Sequence, residues 1–357
     1  MTRLQRYLAG QWLRAFGLVI AIMCLAIFMV DLLEQSRTVG TRVDVSFFKL
    51  VQLALLKLPM LLGEVLGFAF LIATLLAYAG LGRRKELPVI QTSGLSSLGI
   101  TLPAAALTLV ISLTHLGIIS PIGASGAKQF ELQRAALIDE LAAEKRSSTQ
   151  WVDRSGETRR LITATPQAVG ARDYSRFSAM EFAPQDGFVR RVSAAEAIWS
   201  DGLWVLSDVR VETRDAEPDS FDQIRLVSTQ DPAEIIGPAH TRKTVSLWSL
   251  PGYIELRQTA GLSIDRYQMR LYELLAGPTF HLAMTFLGVL ACLRLDRLGR
   301  TALRTTVACF AGLGLFLVIQ FAISLGATGL VPPAIAAFAP PAAGLMIALF
   351  LVTASDH

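Results

Sequence analysis

The sequence predicts an α-helical polytopic membrane protein with six transmembrane helices and an all-β, jellyroll-like domain inserted between the third and the fourth. Three observations carry that prediction. Hydrophobic residues make up 52% of the 357 positions, and the mean hydropathy of +0.48 is far above that of a soluble domain. Six apolar runs, residues 13–33, 58–80, 98–120, 273–293, 303–325 and 331–353, are each long enough, at about 1.5 Å per helical residue, to cross a hydrocarbon core of roughly 30 Å. Between the third and fourth runs, residues 121–272 carry balanced charges and change from helical periodicity to strict alternation.

The first run is too long for the apolar region of a signal peptide, ends in Asp31 rather than at a small-residue cleavage site, and is followed by more spans, which predicts a retained first helix. Basic residues cluster at the helix ends: Arg3, Arg6 and Arg14; Arg83, Arg84 and Lys85; Arg294, Arg297, Arg300 and Arg304. By the positive-inside rule these place the N-terminus and the loops around 81–97 and 294–302 in the cytoplasm, while Arg37, Arg42 and Lys49 pull the other way. An even number of spans then returns the C-terminus to the cytoplasm. The net charge of +4 is accounted for by these helix ends, and nucleic acid is not an expected partner. Cys24, Cys292 and Cys309 all lie in apolar runs, so neither a disulfide framework nor a zinc site is expected.

Five segments follow: 1–127 with spans one to three and the loop 81–97; a connector over 128–148; the β-domain over 149–245; a second connector over 246–272; and spans four to six over 273–357. Residues 128–146 have Phe130, Leu132, Ala136, Leu137 and Leu141 at helical spacing and read either as an extension of span three or as a solvated connector. From about 150 to 245, short alternating segments such as Arg159-Arg160-Leu161-Ile162, Phe188 to Val192, and Leu203 to Leu206 before Val209 and Val211 are separated by Ser155-Gly156, Asp186-Gly187 and Asp201-Gly202. Those turns suit an antiparallel sandwich or jelly roll. Residues 249–272 look helical again, with Pro251 near a start and Gly261 as a break. The domain thus separates two three-helix halves that show no sequence repeat.

No hydrolytic motif survives inspection. Residues 237–244, GPAHTRKT, place Arg242 where a phosphate-binding loop needs its second glycine, and they fall outside the cytoplasm. Neither GxSxG nor HExxH occurs, and His115, His240, His281 and His357 are scattered. The chain is therefore expected to be a non-catalytic subunit without a cofactor or metal of its own.

The informative segment runs from Leu81 to Gly94, where Arg83, Arg84, Lys85 and Glu86 precede an apolar stretch and a glycine stop. It reads either as an ordinary basic loop or as a short surface helix that docks a cytoplasmic partner through Glu86 and exposed Leu87, Val89 and Ile90. A helix of that kind would pass a rigid-body push into spans two and three. Within the bilayer, Lys57 and Glu64 lie seven residues apart on one face of span two. Charges there cost about 2.5–3.5 kcal/mol on insertion scales, so they should face a cavity or protein, unless Lys57 snorkels to the interface. His281 reads as a satisfied buried histidine rather than a ligand. Gly63 and Gly67 form a GxxxG that could bring two helices close.

The segment RRKELPVIQTSG resembles the loop after span two in the LptF/LptG (YjgP/YjgQ) permeases of the lipopolysaccharide export ABC transporter. Arg6-Tyr7-Leu8, Ser120-Pro121, Arg266-Tyr267-Gln268 and Gly329-Leu330-Val331-Pro332-Pro333 extend the resemblance over nearly the whole chain, and the loop and Pro-Pro opening are closer to the G subunit. The resemblance implies a sister LptF-like permease and a cytoplasmic LptB-like ATPase dimer that uses ATP and Mg and grips Arg83, Arg84, Lys85, Glu86, Leu87 and Val89. It also implies a periplasmic domain passing lipid to LptC-like and LptA-like proteins, with lipopolysaccharide entering laterally between the permeases of a Gram-negative inner membrane. Cations would hold the phosphorylated headgroup.

At the headgroup positions the chain departs from its relatives. The lysines of their first span fall on Phe28, Glu34 and Gln35, leaving Asp31, and the arginines after span three fall on Lys128 and Glu131. Headgroup and cavity candidates are therefore Asp31, Glu34, Arg37, Lys57, Glu64, Lys128 and Arg134, with Lys128 the cation carried over and Arg37 and Arg134 replacements by position. The alternative for Arg37 and Arg134 is that they are solvated loop charges, or partners of Glu34 and Glu131. The rival reading is a membrane-anchored assembly factor or receptor whose β-domain binds a periplasmic partner without transport.

Overall fold

The computed structural model describes residues 3–38, 46–142, 149–155, 158–167, 172–183, 187–200, 202–213, 218–228, 245–259, 264–293 and 301–356. The segment 237–244 and the arginines at 42, 294, 297 and 300 lie outside that set. Among the described residues are six long apolar helices, of a length and composition that can cross a membrane. The first two are α1 (Arg3–Thr38) and α2 (Phe47–Arg83), followed by the short α3 (Glu86–Thr92). The third span comprises α4 (Ser97–Thr114), a π-helical turn (His115–Ile119) and α5 (Ser120–Ala142). After the sheet come α6 (Leu250–Thr259), α7 (Asp265–Leu293), α8 (Thr301–Ala327) and α9 (Pro333–Thr353).

The chain divides into two compact units, one of Met1–Leu33, Lys57–Gly123 and Asp265–His357, the other of Glu34–Leu56 and Ala124–Ile264. In the first, α1 turns the stripe Leu8, Trp12, Phe16 and Val19 inward at helical spacing. The Trp12 ring stacks on Phe16 at 5.3 Å, and its indole N–H donates to Thr74 Oγ1 at 2.8 Å. The other face of α1 leaves Leu18, Ile22, Leu25 and Val30 exposed, which suits a helix whose solvent is lipid.

The second unit holds the inserted all-β domain. Six strands, β1 (Thr149–Ser155), β2 (Thr158–Pro166), β3 (Asp173–Ala183), β4 (Gly187–Ser200), β5 (Leu203–Thr213) and β6 (Asp219–Val227), form one sheet. Each strand pairs antiparallel with the next in chain order. Trp204 on β5 is fully buried against Tyr174, Phe177 and Trp199, in the apolar core of the sheet. A crease crosses the sheet. Pairing lapses opposite Arg176 in β3, Ala195 in β4 and Asp208 in β5, and Arg176 and Asp208 have φ of 50° and 53°. The inward parity slips by one residue across that line: Tyr174 gives way to Phe177, Ala194 to Ala197, and Leu206 to Val209.

In the same unit, α5 lies against α2. A Cβ on Gly126 would strike the Leu56 carbonyl oxygen, so only glycine permits this approach.

Candidate functional site

The loop after α2 becomes a helix because its punctuation is correct at both ends. Lys85, with φ 59°, adopts the left-handed conformation that ends α2. Pro88 sits in the first turn of α3, where its missing N–H costs nothing. Gly94, with φ 87°, stops the helix. The Ser93 hydroxyl donates to the Ile90 carbonyl at 2.7 Å, satisfying one terminal acceptor.

Seven residues cannot hold a helix by themselves. Leu87 and Ile90, i and i+3 on one face, are 3% and 7% exposed and enter the core formed by Leu8, Trp12, Tyr78, Leu293 and Val352. This corrects the expectation that both are exposed for a partner: they seat the helix instead. Val89, on the opposite face, is 67% exposed, and Arg83, Arg84 and Lys85 also face solvent. Two polar bonds complete the seat. The Gln91 Nε2–H donates to the Leu293 carbonyl at 2.8 Å, capping the end of α7. The Tyr7 hydroxyl donates to Glu86 Oε2 at 2.6 Å and accepts from Gln11 Nε2 at 3.2 Å. Tyr7 and Gln91 stood in the quoted motifs, but no spacing assigns their partners.

Within the first unit, Lys57 Nζ lies 2.8 Å from Asp31 Oδ1, with Asp31 3% exposed. Lys57 thus faces protein, as expected, and the two headgroup candidates spend their charges on each other. Glu64 is exposed on the chain's own surface. Both glycines of the GxxxG bring helices together: a Cβ on Gly63 would stand 2.7 Å from His115 Nε2, and one on Gly67 would strike the Phe280 ring of α7. Below the π-helical turn, α4 and α7 are laced by Ser112 Oγ to His281 Nδ1 and by Thr108 to Thr285, both at 2.8 Å. His281 is accordingly a satisfied buried histidine.

Among the candidates in the second unit, Glu34, Arg37 and Lys128 are exposed. Arg134 stands 5.9 Å over the Phe130 ring, and its Nε has no hydrogen-bond acceptor among the described residues. Lys49, which the sequence reading treated only as a loop charge, donates to Gln133 Oε1 at 2.9 Å and so ties α2 to α5.

The sheet carries its own charge cluster. Glu181 is clamped by Arg160 Nε at 2.8 Å and Arg190 Nε at 2.6 Å. Burial pushes its carboxyl up, but hydrogen bonding and charge from Arg190, together with Arg160, outweigh that and hold it below the ordinary value.

Six helices of membrane-crossing length and composition among the described residues, an inserted sheet and a surface helix seated on the bundle define a multi-pass membrane protein. Residues 6–354 match the family described as lipopolysaccharide export system permease LptF/LptG. The chain belongs to that family and is a multi-pass inner-membrane protein of the lipopolysaccharide transport permeases, a class of non-catalytic ABC transporter subunit. Comparison with individually curated proteins gives no match.

Proposed function

We propose that this chain is the G-like permease of a lipopolysaccharide exporter and that α3 is where its motor engages. The termini and α3 face the cytoplasm and the sheet faces the periplasm. A dimeric LptB-like partner, using ATP and Mg, closes on α3, and an LptF-like sister permease completes the membrane cavity. Closure expels lipopolysaccharide towards the periplasmic sheet and on to LptC-like and LptA-like proteins.

The observation that supports this reading is the two-sidedness of α3. One face is fixed to the bundle by Leu87 and Ile90, while Val89 and the basic run before it look outward. A push on the outer face is therefore delivered to α1 and α7 through side chains already in contact with them. Lys128 and Arg37, both exposed, are the headgroup cations we favour, with Arg134 as a third candidate; Asp31 and Lys57 serve chiefly to neutralise each other.

Reconstitution with the partner ATPase and sister permease tests the proposal. Glu86→Arg should leave ATP hydrolysis running while lipid release falls, and release per ATP equal to wild type would refute the docking assignment. An anchored receptor or assembly factor would instead purify without an ATPase or a second permease.

A further inference from the structure

Glu86 is a surface carboxylate on a flexible side chain, yet it is held. The Tyr7 hydroxyl donates to its Oε2 at 2.6 Å, a short, charge-assisted bond. The tyrosine is itself held by Gln11, one turn further along α1. Four residues beyond Leu8, Trp12 fixes the same helix to α2 through Thr74. A carboxylate offers about four acceptor positions. One bond from Tyr7 therefore fixes its rotamer without filling it, and Glu86 remains partly exposed.

We propose that Tyr7 is a positioning residue for coupling: it aims Glu86 at a cationic side chain of the ATPase and makes span one the first span to receive the motor's movement. This rests on the docking role of Glu86. Engagement of the carboxylate pulls on the phenol, the phenol pulls on the first turns of α1, and Trp12 passes the load to α2. The sequence separates the two groups by 79 positions, so the link belongs to the fold alone.

The test uses the complete reconstituted transporter with Y7F, E86Q and the double variant, reading bound ATPase, ATP hydrolysis and lipid released per ATP. Y7F should keep the ATPase bound and lower release per ATP roughly five-fold, the ratio set by losing one hydrogen bond. E86Q should lower it at least as far, and the double variant should be no worse than E86Q, because Tyr7 acts through Glu86. Wild-type coupling in Y7F beside an uncoupled E86Q overturns the role of Tyr7 and leaves the docking of Glu86 intact. Wild-type coupling in E86Q removes both. Additive losses in the double variant make Tyr7 a structural residue and overturn the proposal. If Y7F lowers the yield, Q11A decides: it keeps the phenol, and it must show a weaker form of the same uncoupling, with wild-type coupling counting against us.

Discussion

Leu87→Ala should loosen α3 while sparing the rest of the bundle. The helix has seven residues, too few for intrinsic stability, so its order derives mainly from the side chains it buries. Leu87 and Ile90, 3% and 7% exposed, contribute about 1.5–3 kcal/mol each when fully removed from an apolar core, together roughly 3–6 kcal/mol. Truncating Leu87 costs about 2–5 kcal/mol. Even the lower figure raises the local opening constant by roughly 30-fold, because 1.4 kcal/mol is about a factor of ten. Hydrogen exchange on the purified protein in lipid nanodiscs should therefore show faster exchange across 89–94 in L87A, with the spans unchanged. Val89→Ala, at the 67% exposed position, should alter exchange by less than about 0.5 kcal/mol. Equal protection of this segment in L87A and wild type would refute the seat.

Two further outcomes follow from the ion pairs. Lys57→Met strands the buried Asp31 and should destabilise the protein by about 3–5 kcal/mol in thermal unfolding. Adding Asp31→Asn should recover most of that loss, and a K57M protein as stable as wild type would contradict the pairing. In the sheet, the lowered Glu181 pKa gives stability that is complete above the ordinary carboxylate value and lost as pH falls through the folded one. E181Q should thus be less stable than wild type at neutral pH, with the gap closing on acidification when Trp199 and Trp204 fluorescence is followed; a gap constant with pH would contradict the clamp.

The membrane helices were legible because hydropathy is a direct record of the solvent each must meet. Their ends were not: the apolar run 13–33 lies within a helix from Arg3 to Thr38, since helical hydrogen bonding continues after the lipid stops. The inserted sheet was visible in its alternation, and the jump from Leu206 to Val209 already carried the slip of one residue that marks the crease. Only tertiary pairing shows that β3 and β4 slip on the same line. In α3 the i, i+3 spacing of Leu87 and Ile90 put them on one face, but sequence alone could not say whether that face met solvent or bundle. The pairs Asp31–Lys57 and Tyr7–Glu86 join residues 26 and 79 apart, distances at which periodicity is silent. The candidates Glu34, Arg37, Lys128 and Arg134 came from resemblance and position, and the geometry adds their exposure rather than their role.

If the outer face of α3 meets an ATP-hydrolysing partner, a photo-crosslinking residue placed at Val89 in intact membranes should form an adduct with a nucleotide-binding protein. The adduct should be absent when the probe stands at Leu87. A probe at Val89 that reacts only with periplasmic components would contradict that contact.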